Sequence, residues 1–165
     1  MKSRIVILVL MLLPIILAAQ SILPDFTLET MDGRKITLSE VTAESGVILS
    51  FWATWCKPCV RELGKLEEME EFLAQHNVIV IAVNEDGPRT RPRVKPFVTR
   101  EGWSFDILMD PGHRVKNQSG IAELPETFII GANNEVFYRH SGYKPGDEAI
   151  YERKVRELFA PKEND

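Results

Sequence analysis

Phe51-Trp52-Ala53-Thr54-Trp55-Cys56-Lys57-Pro58-Cys59 holds both cysteines of the 165-residue chain in a single Cys-x-x-Cys. The stretch begins inside a largely apolar run, Val47–Ala53 (VILSFWA), rich in β-branched and aromatic residues. Such a run fits a strand covered on both faces. After Cys56 the period changes. Val60, Leu63, Leu66, Met69 and Leu73 recur at helical spacing, with Glu67, Glu68, Glu70 and Glu71 mostly opposite as a solvated face. A strand running into a helix across this motif puts the Cys56 thiol at a helix N-terminus. There unpaired N–H groups and the positive dipole end favour a thiolate, the nucleophilic form. Cys59 lies about one turn on, close enough to close a disulfide and release a mixed-disulfide partner. Pro58 suits the first turn, because the amide it lacks would have no helical partner. Lys57 adds a positive charge beside the site, weakened by exposure.

Other uses of two cysteines are harder to build. They are too few for a multi-bridge scaffold, a four-cysteine zinc site or an iron–sulfur cluster. A mixed zinc site needs two further ligands, and His76, His113 and His140 are isolated in sequence and read as surface or loop residues. Covalent haem attachment needs histidine directly after the second cysteine, where Val60 stands. No metal or other cofactor is therefore expected. An inert structural disulfide is the alternative that stays open, although so short a loop constrains the unfolded chain little.

Around this centre the chain reads as one α/β domain. Its 44% hydrophobic and 27% charged residues are those of a globular protein, and its length suits a single core. Residues 1–19 stand apart: Lys2 and Arg4, an apolar run from Ile5 to Leu17 interrupted by Pro14, then Ala18-Ala19. This is the layout of a secretory signal peptide, and a retained membrane anchor is the second reading of the same residues. Either way, residues 20–165 are expected to be exported. Without the first nineteen residues Lys+Arg falls from 20 to 18 against 24 Asp+Glu, so the net charge moves from −4 to −6. A mildly acidic domain has no general attraction for nucleic acid. One local exception is Arg89, Arg91, Arg93 and Lys95, either a solvated loop and helix start or a docking patch for an acidic partner.

Further elements follow from pattern. Asp25–Thr30 and Arg34–Leu38 flank Met31-Asp32-Gly33 as a hairpin. Val78–Asn84 is a second buried strand. A helix is predicted from near Pro92 to near Gly102, and a short strand over Phe105–Met109. Thr127–Ile130 and Glu135–His140 pair around Asn133-Asn134, and Gly146–Phe159 closes the chain as an amphipathic helix. The order implies a central mixed sheet flanked by helices on both faces. Leu124-Pro125 precedes the penultimate strand, a position compatible with either a cis or a trans bond. A proline packed against the two cysteines would leave neighbouring backbone groups free to pair with a bound polypeptide. Glu62, three residues after Cys59, shares its helical face. It reads either as a surface acid or, if shielded, as a carboxyl able to exchange a proton with Cys59.

FWATWCKPC, VIVIAVNED, LPETFII and the final helix together resemble the thioredoxin superfamily, and within it the exported TlpA/ResA/CcmG-type thiol–disulfide oxidoreductases, over about residues 22–160. The resemblance implies a thioredoxin fold with an N-terminal β-hairpin extension. It also implies that Cys56 attacks, Cys59 resolves, Pro125 is a cis-proline beside them and Glu62 tunes the pair. Trp55, Lys57, Pro58, Leu124 and Pro125 would then line the substrate groove. Three departures stand out: Ser50 where cytoplasmic thioredoxins bury an aspartate, Glu126 as a charge near the groove, and prolines at 88, 92 and 96. The implied function is reduction of disulfides in other exported proteins, with a membrane electron-transfer protein as reductant and cytochrome c maturation as one setting. Two alternatives remain at this point. One is the same chemistry run as an oxidase or isomerase, and the other is a non-catalytic binding module. A peroxidase would be expected to show Pro-x-x-x-Thr-x-x-Cys at Cys56, and that pattern is absent.

Overall fold

The computed structural model describes residues 21–158, so the N-terminal signal or anchor expectation and Phe159 lie outside it. Strands β1 (Thr27–Thr30) and β2 (Lys35–Thr37) form the predicted antiparallel hairpin, with Gly33 at φ 87° in its turn. That left-handed conformation is one that glycine adopts without steric penalty. Next come α1 (Leu38–Thr42), β3 (Gly46–Trp52), α2 (Lys57–Glu68), α3 (Glu70–Gln75) and β4 (Val78–Asn84). The chain continues through α4 (Val94–Glu101), β5 (Asp106–Met109), α5 (Arg114–Gln118), β6 (Glu126–Ile130), β7 (Val136–Ser141) and α6 (Glu148–Leu158).

The strands form one sheet in the order β2-β1-β5-β4-β3-β6-β7. β3, β4 and β5 run parallel, while β1, β6 and β7 pair antiparallel with their neighbours. β3 is central, and all seven of its residues are buried. Its alternation sorts two cores. Ile48 and Trp52 face α2, α3, α4 and α6, where Leu63, Leu66, Leu73, Val98 and Val155 cover them. Val47, Leu49 and Phe51 face the opposite side, under α1, α5 and the segment carrying Leu23 and Phe26. This is the expected α/β thioredoxin fold with its hairpin extension.

Three details differ from the sequence expectation. The helix after Cys56 breaks at Met69 (φ −93°, ψ 2°), and α3 departs so that Leu73 packs over β4. The helix before Gly102 is preceded by a separate 3₁₀ turn, Arg91–Arg93. The helices α1 and α5 had no sequence signal, being too short to show a period. Acidic side chains outside them organise both. Asp25 accepts from the Ser39 amide and hydroxyl, and Asp110 accepts from the amides of Arg114, Val115 and Lys116.

Candidate active site

The turn between β3 and α2 is held by the end of β4. Asp86 accepts from the Thr54 amide at 2.7 Å and the Thr54 hydroxyl at 2.6 Å, and Asn84 Nδ2 donates to it at 2.9 Å. Burial opposes charge on Asp86, but the bonds from Thr54, Thr90 and Asn84 together outweigh it and hold the carboxyl below its ordinary range. The Glu85 amide donates to Trp52 O at 2.8 Å. Beneath the turn, Trp52 packs edge-on against Trp103 with centroids 5.1 Å apart. The loop carrying the first cysteine is thus fixed from below and from the side.

Cys56 caps the N-terminus of α2, and Cys59 sits in its first turn. They are joined in a disulfide with Cα atoms 5.3 Å apart. Cys56 retains 6% exposure and Cys59 none, an asymmetry that leaves the first sulfur as the one a partner can reach. Lys57 is exposed and Pro58 half-buried, whereas Trp55 is 62% exposed and forms a wall beside Cys56.

Glu62 is fully buried. Ser50 Oγ donates to its Oε2 at 2.9 Å, while Thr127 Oγ1 and Tyr151 OH donate to its Oε1 at 2.9 and 2.5 Å. Sheet register builds this cage, because Ser50 lies opposite Thr127 and Thr127 opposite His140 on three adjacent strands. Burial pushes the Glu62 carboxyl above its ordinary range, and the bonds from Tyr151, Ser50 and Thr127 pull it part of the way back. The Tyr151 hydroxyl is pushed up by its own burial and by the carboxylate it touches. The surface-acid reading of Glu62 is therefore overturned: its place on α2 faces the sheet. Ser50 serves this neighbouring acid as a hydrogen-bond donor.

Leu124–Pro125 is a cis peptide. β6 starts at Glu126, opposite Phe51, which sets buried Pro125 at the Trp52 end of the sheet with the cysteine turn. Two expectations need correction. Glu126 is buried on the other face of β6, ion-paired with Arg139 and accepting from Ser141 Oγ at 2.7 Å, so it brings no charge to the groove. The histidines are not simply surface residues either. His140 Nε2 lies 3.0 Å from Asp147 and its ring meets Tyr151 edge-on, while His113 Nδ1 lies 2.5 Å from Glu85. His76 Nδ1 bonds Phe72 O at 2.8 Å.

Sequence reasoning did not identify Thr127, Tyr151, His140, Asp86 or Glu85 as parts of the site. Tyr151 is 89 positions from Glu62, and only the docking of α6 joins them. Glu85 is buried with one carboxylate oxygen unpartnered and is pushed up to about 7, by burial and against the pull of its bond to His113. It lines a cavity of about 480 Å³ with Trp55, His113, Lys116 and Leu124. Among the described residues no group of three or more His, Cys, Asp or Glu is arranged to hold a metal ion, and no helix is long and apolar enough to cross a membrane.

Residues 19–139 match the model of the AhpC/TSA family. The chain is 38% identical over 119 residues to the thiol–disulfide oxidoreductase ResA of Geobacillus thermodenitrificans, covering 72% of this chain and 67% of that protein. It spans about two thirds of the length of the ResA relatives it matches. Among solved structures, the Chlorobium tepidum protein described as a thiol:disulfide interchange protein DsbE superposes with a TM-score of 0.78 at 28% identity, covering 86% of this chain and 97% of that one. A thioredoxin-like protein from Porphyromonas gingivalis gives 0.72 at 33% identity, covering 86% and 94%.

Proposed function

Because the chain belongs to the AhpC/TSA family and, within it, resembles the ResA thiol–disulfide oxidoreductases, we propose that it is an exported enzyme that reduces disulfides in other exported proteins. The observation that carries the reading is the pairing of a reachable Cys56 at the start of α2 with a buried Glu62 one turn beyond Cys59. In the dithiol form, Cys56 thiolate attacks one sulfur of the target disulfide. A mixed disulfide forms and the first target thiolate leaves. Cys59 then gives its proton to the Glu62 carboxylate and attacks Cys56 Sγ, releasing the second target thiolate. The target gains two electrons and the enzyme ends with the Cys56–Cys59 disulfide. A buried carboxyl with a raised pKa is better matched to a thiol than an exposed one, which is what proton exchange between them needs.

Trp55, Lys57, Pro58, Leu124 and Pro125 line the groove in this reading and position the target chain. A membrane electron-transfer protein returns two electrons to the pair. Export rests on the Lys2 and Arg4, apolar run and Ala18-Ala19 layout, with the leader either cleaved or kept as an anchor. Cytochrome c maturation is the setting we propose for the activity.

Insulin disulfide reduction tests the chemistry. Cys56→Ser abolishes turnover, and Cys59→Ser accumulates mixed disulfides that non-reducing gels and mass spectrometry resolve. Full turnover by Cys56→Ser overturns the reading. The potential of the pair tests direction: a value near thioredoxin, about −270 mV, supports reduction, and one near DsbA, about −120 mV, assigns oxidation instead.

A further inference from the structure

Beside the cysteine turn, a groove of about 490 Å³ that Leu124 does not line runs between Trp55 and the segment that follows β4. Its walls include Thr90, Pro92, Arg93, Phe97 and Arg100. Arg89, Arg91, Arg93 and Lys95 are all exposed, and no carboxylate among the described residues forms an ion pair with any of them. Arg100 instead lies over the Phe97 ring at 4.6 Å and pairs with Glu101. These cations are concentrated in a chain whose net charge is −4, and −6 without its first nineteen residues (18 Lys+Arg against 24 Asp+Glu). The segment is also held in shape. Pro88, Pro92 and Pro96 restrict its backbone, the Arg91–Arg93 3₁₀ turn and α4 follow directly, and Val94 and Val98 anchor it in the core.

We propose that this groove docks an acidic, extended stretch of the polypeptide whose disulfide Cys56 attacks. The proposal rests on the reading of Cys56–Cys59 as a disulfide reductant and adds the charge of its preferred target. Trp55 joins the two places, because it precedes the attacking cysteine and also walls the groove. An extended chain advances about 3.3 Å per residue, so a target strand that runs from Cys56 past Trp55 into the groove brings carboxylates a few residues from its cysteine to Arg93 in the wall, with Arg89, Arg91 and Lys95 exposed on the same short segment. Clustered like charges on a fixed surface raise the encounter rate of an oppositely charged partner by about 10–1000-fold at low salt. Arginine supplies paired donors that match carboxylate geometry, and the apolar faces of Trp55, Pro92 and Phe97 cover the chain between them.

The test compares two disulfide-bonded peptides of equal length, one flanked by aspartates and glutamates and the other by asparagines and glutamines. Exchange with the reduced full-length protein is followed by stopped flow. The acidic peptide is expected to react about tenfold or more faster at low salt, with the advantage vanishing in about 1 M salt. In Arg91→Gln/Arg93→Gln/Lys95→Gln the ratio of the two rates falls to near one. A ratio near one in the wild type, or an undiminished ratio in the variant, overturns the docking proposal and leaves the reductant reading standing. Exchange with neither peptide overturns the reductant reading. In that case a cysteine-free acidic peptide, titrated by fluorescence anisotropy, still decides docking: saturable binding weakened tenfold in the variant supports it, and none overturns it. Binding to phosphatidylglycerol vesicles that falls in the variant, without peptide preference, assigns the patch to anionic lipid and also overturns it.

Discussion

Glu62 sits where three hydroxyls converge, and the replacement that isolates its proton is glutamine. The amide oxygen can still accept from Thr127 and Tyr151, and the Ser50 hydroxyl can rotate to accept from the amide nitrogen. Shape and hydrogen bonds survive, while the capacity to take a proton is lost. Glu62→Gln is expected to slow resolution of the mixed disulfide on the order of a hundredfold, which stopped-flow release of a labelled peptide measures. An unchanged release rate removes Glu62 from the mechanism. The same substitution reports on stability. Because the folded pKa is raised above 4.5, the folded protein holds the proton more tightly than the unfolded chain. That contribution is fully present below 4.5 and is lost as pH rises through the raised value. The unfolding midpoint of the wild type should therefore fall, relative to Glu62→Gln, as pH climbs from 4.5 through the raised value. Parallel midpoint curves for the two proteins would contradict the raised pKa.

At the scale of elements, β6 shows how one strand serves two purposes. Successive side chains point to opposite faces, so Thr127 meets Glu62 while Glu126 meets Arg139 and Ser141. Glu126 is buried, and Arg139 on β7 is its charged partner. Removing that partner leaves an acid in an apolar layer with only Ser141 to satisfy it. Arg139→Leu is expected to cost about 2 kcal/mol, read as a lower denaturant midpoint with the slope unchanged. A midpoint within error of the wild type would show that Ser141 and water suffice. Arg139→Leu touches only one face of the strand, since Glu126 and Thr127 are adjacent in sequence and share neither partner.

Across the whole molecule, the segment before β1 ties one edge of the sheet to the other. Leu23 N donates to Asn134 O at 2.9 Å, Val136 N donates to Ser21 O at 2.8 Å, and Asn134 Nδ2 donates to Asp25 Oδ1 at 3.4 Å. Leu23 and Phe26 are buried in the second core, which also contains Leu38, Val115 and Phe128. The segment therefore closes a core that the helices α1 and α5 are too short to cover alone. Leu23→Ala should destabilise the fold by about 2–3 kcal/mol, the cost of emptying a buried leucine site, measured by denaturant unfolding. A loss under about 0.5 kcal/mol would mean that the segment lies on the core without supporting it.

The sequence by itself determined the parts whose physics is local. Continuous apolar runs mark β3 and β4 and a helical period marks α6, each to within a residue or two, the period after Cys56 marks the start of α2 but not its break at Met69, and Asp32-Gly33 marks the hairpin turn. The abrupt change of period at Cys56 placed a thiol on a helix N-terminus. What tertiary structure alone decided is which polar groups meet. Glu62 shares the Cys59 side of α2, and spacing cannot say whether that side meets water or a sheet; burial beneath β3, β6 and α6 settled it. Nothing local marks Tyr151 in the final helix or Thr127 in its strand, and sequence alone reads Glu126 as a groove charge. A pKa responds to solvent exclusion and to partners within hydrogen-bond distance, and both come from strands and helices far apart in the chain. The Cys-x-x-Cys pair is therefore legible from nine consecutive residues, whereas the cage around Glu62 exists only once the sheet register and the docking of α6 are in place.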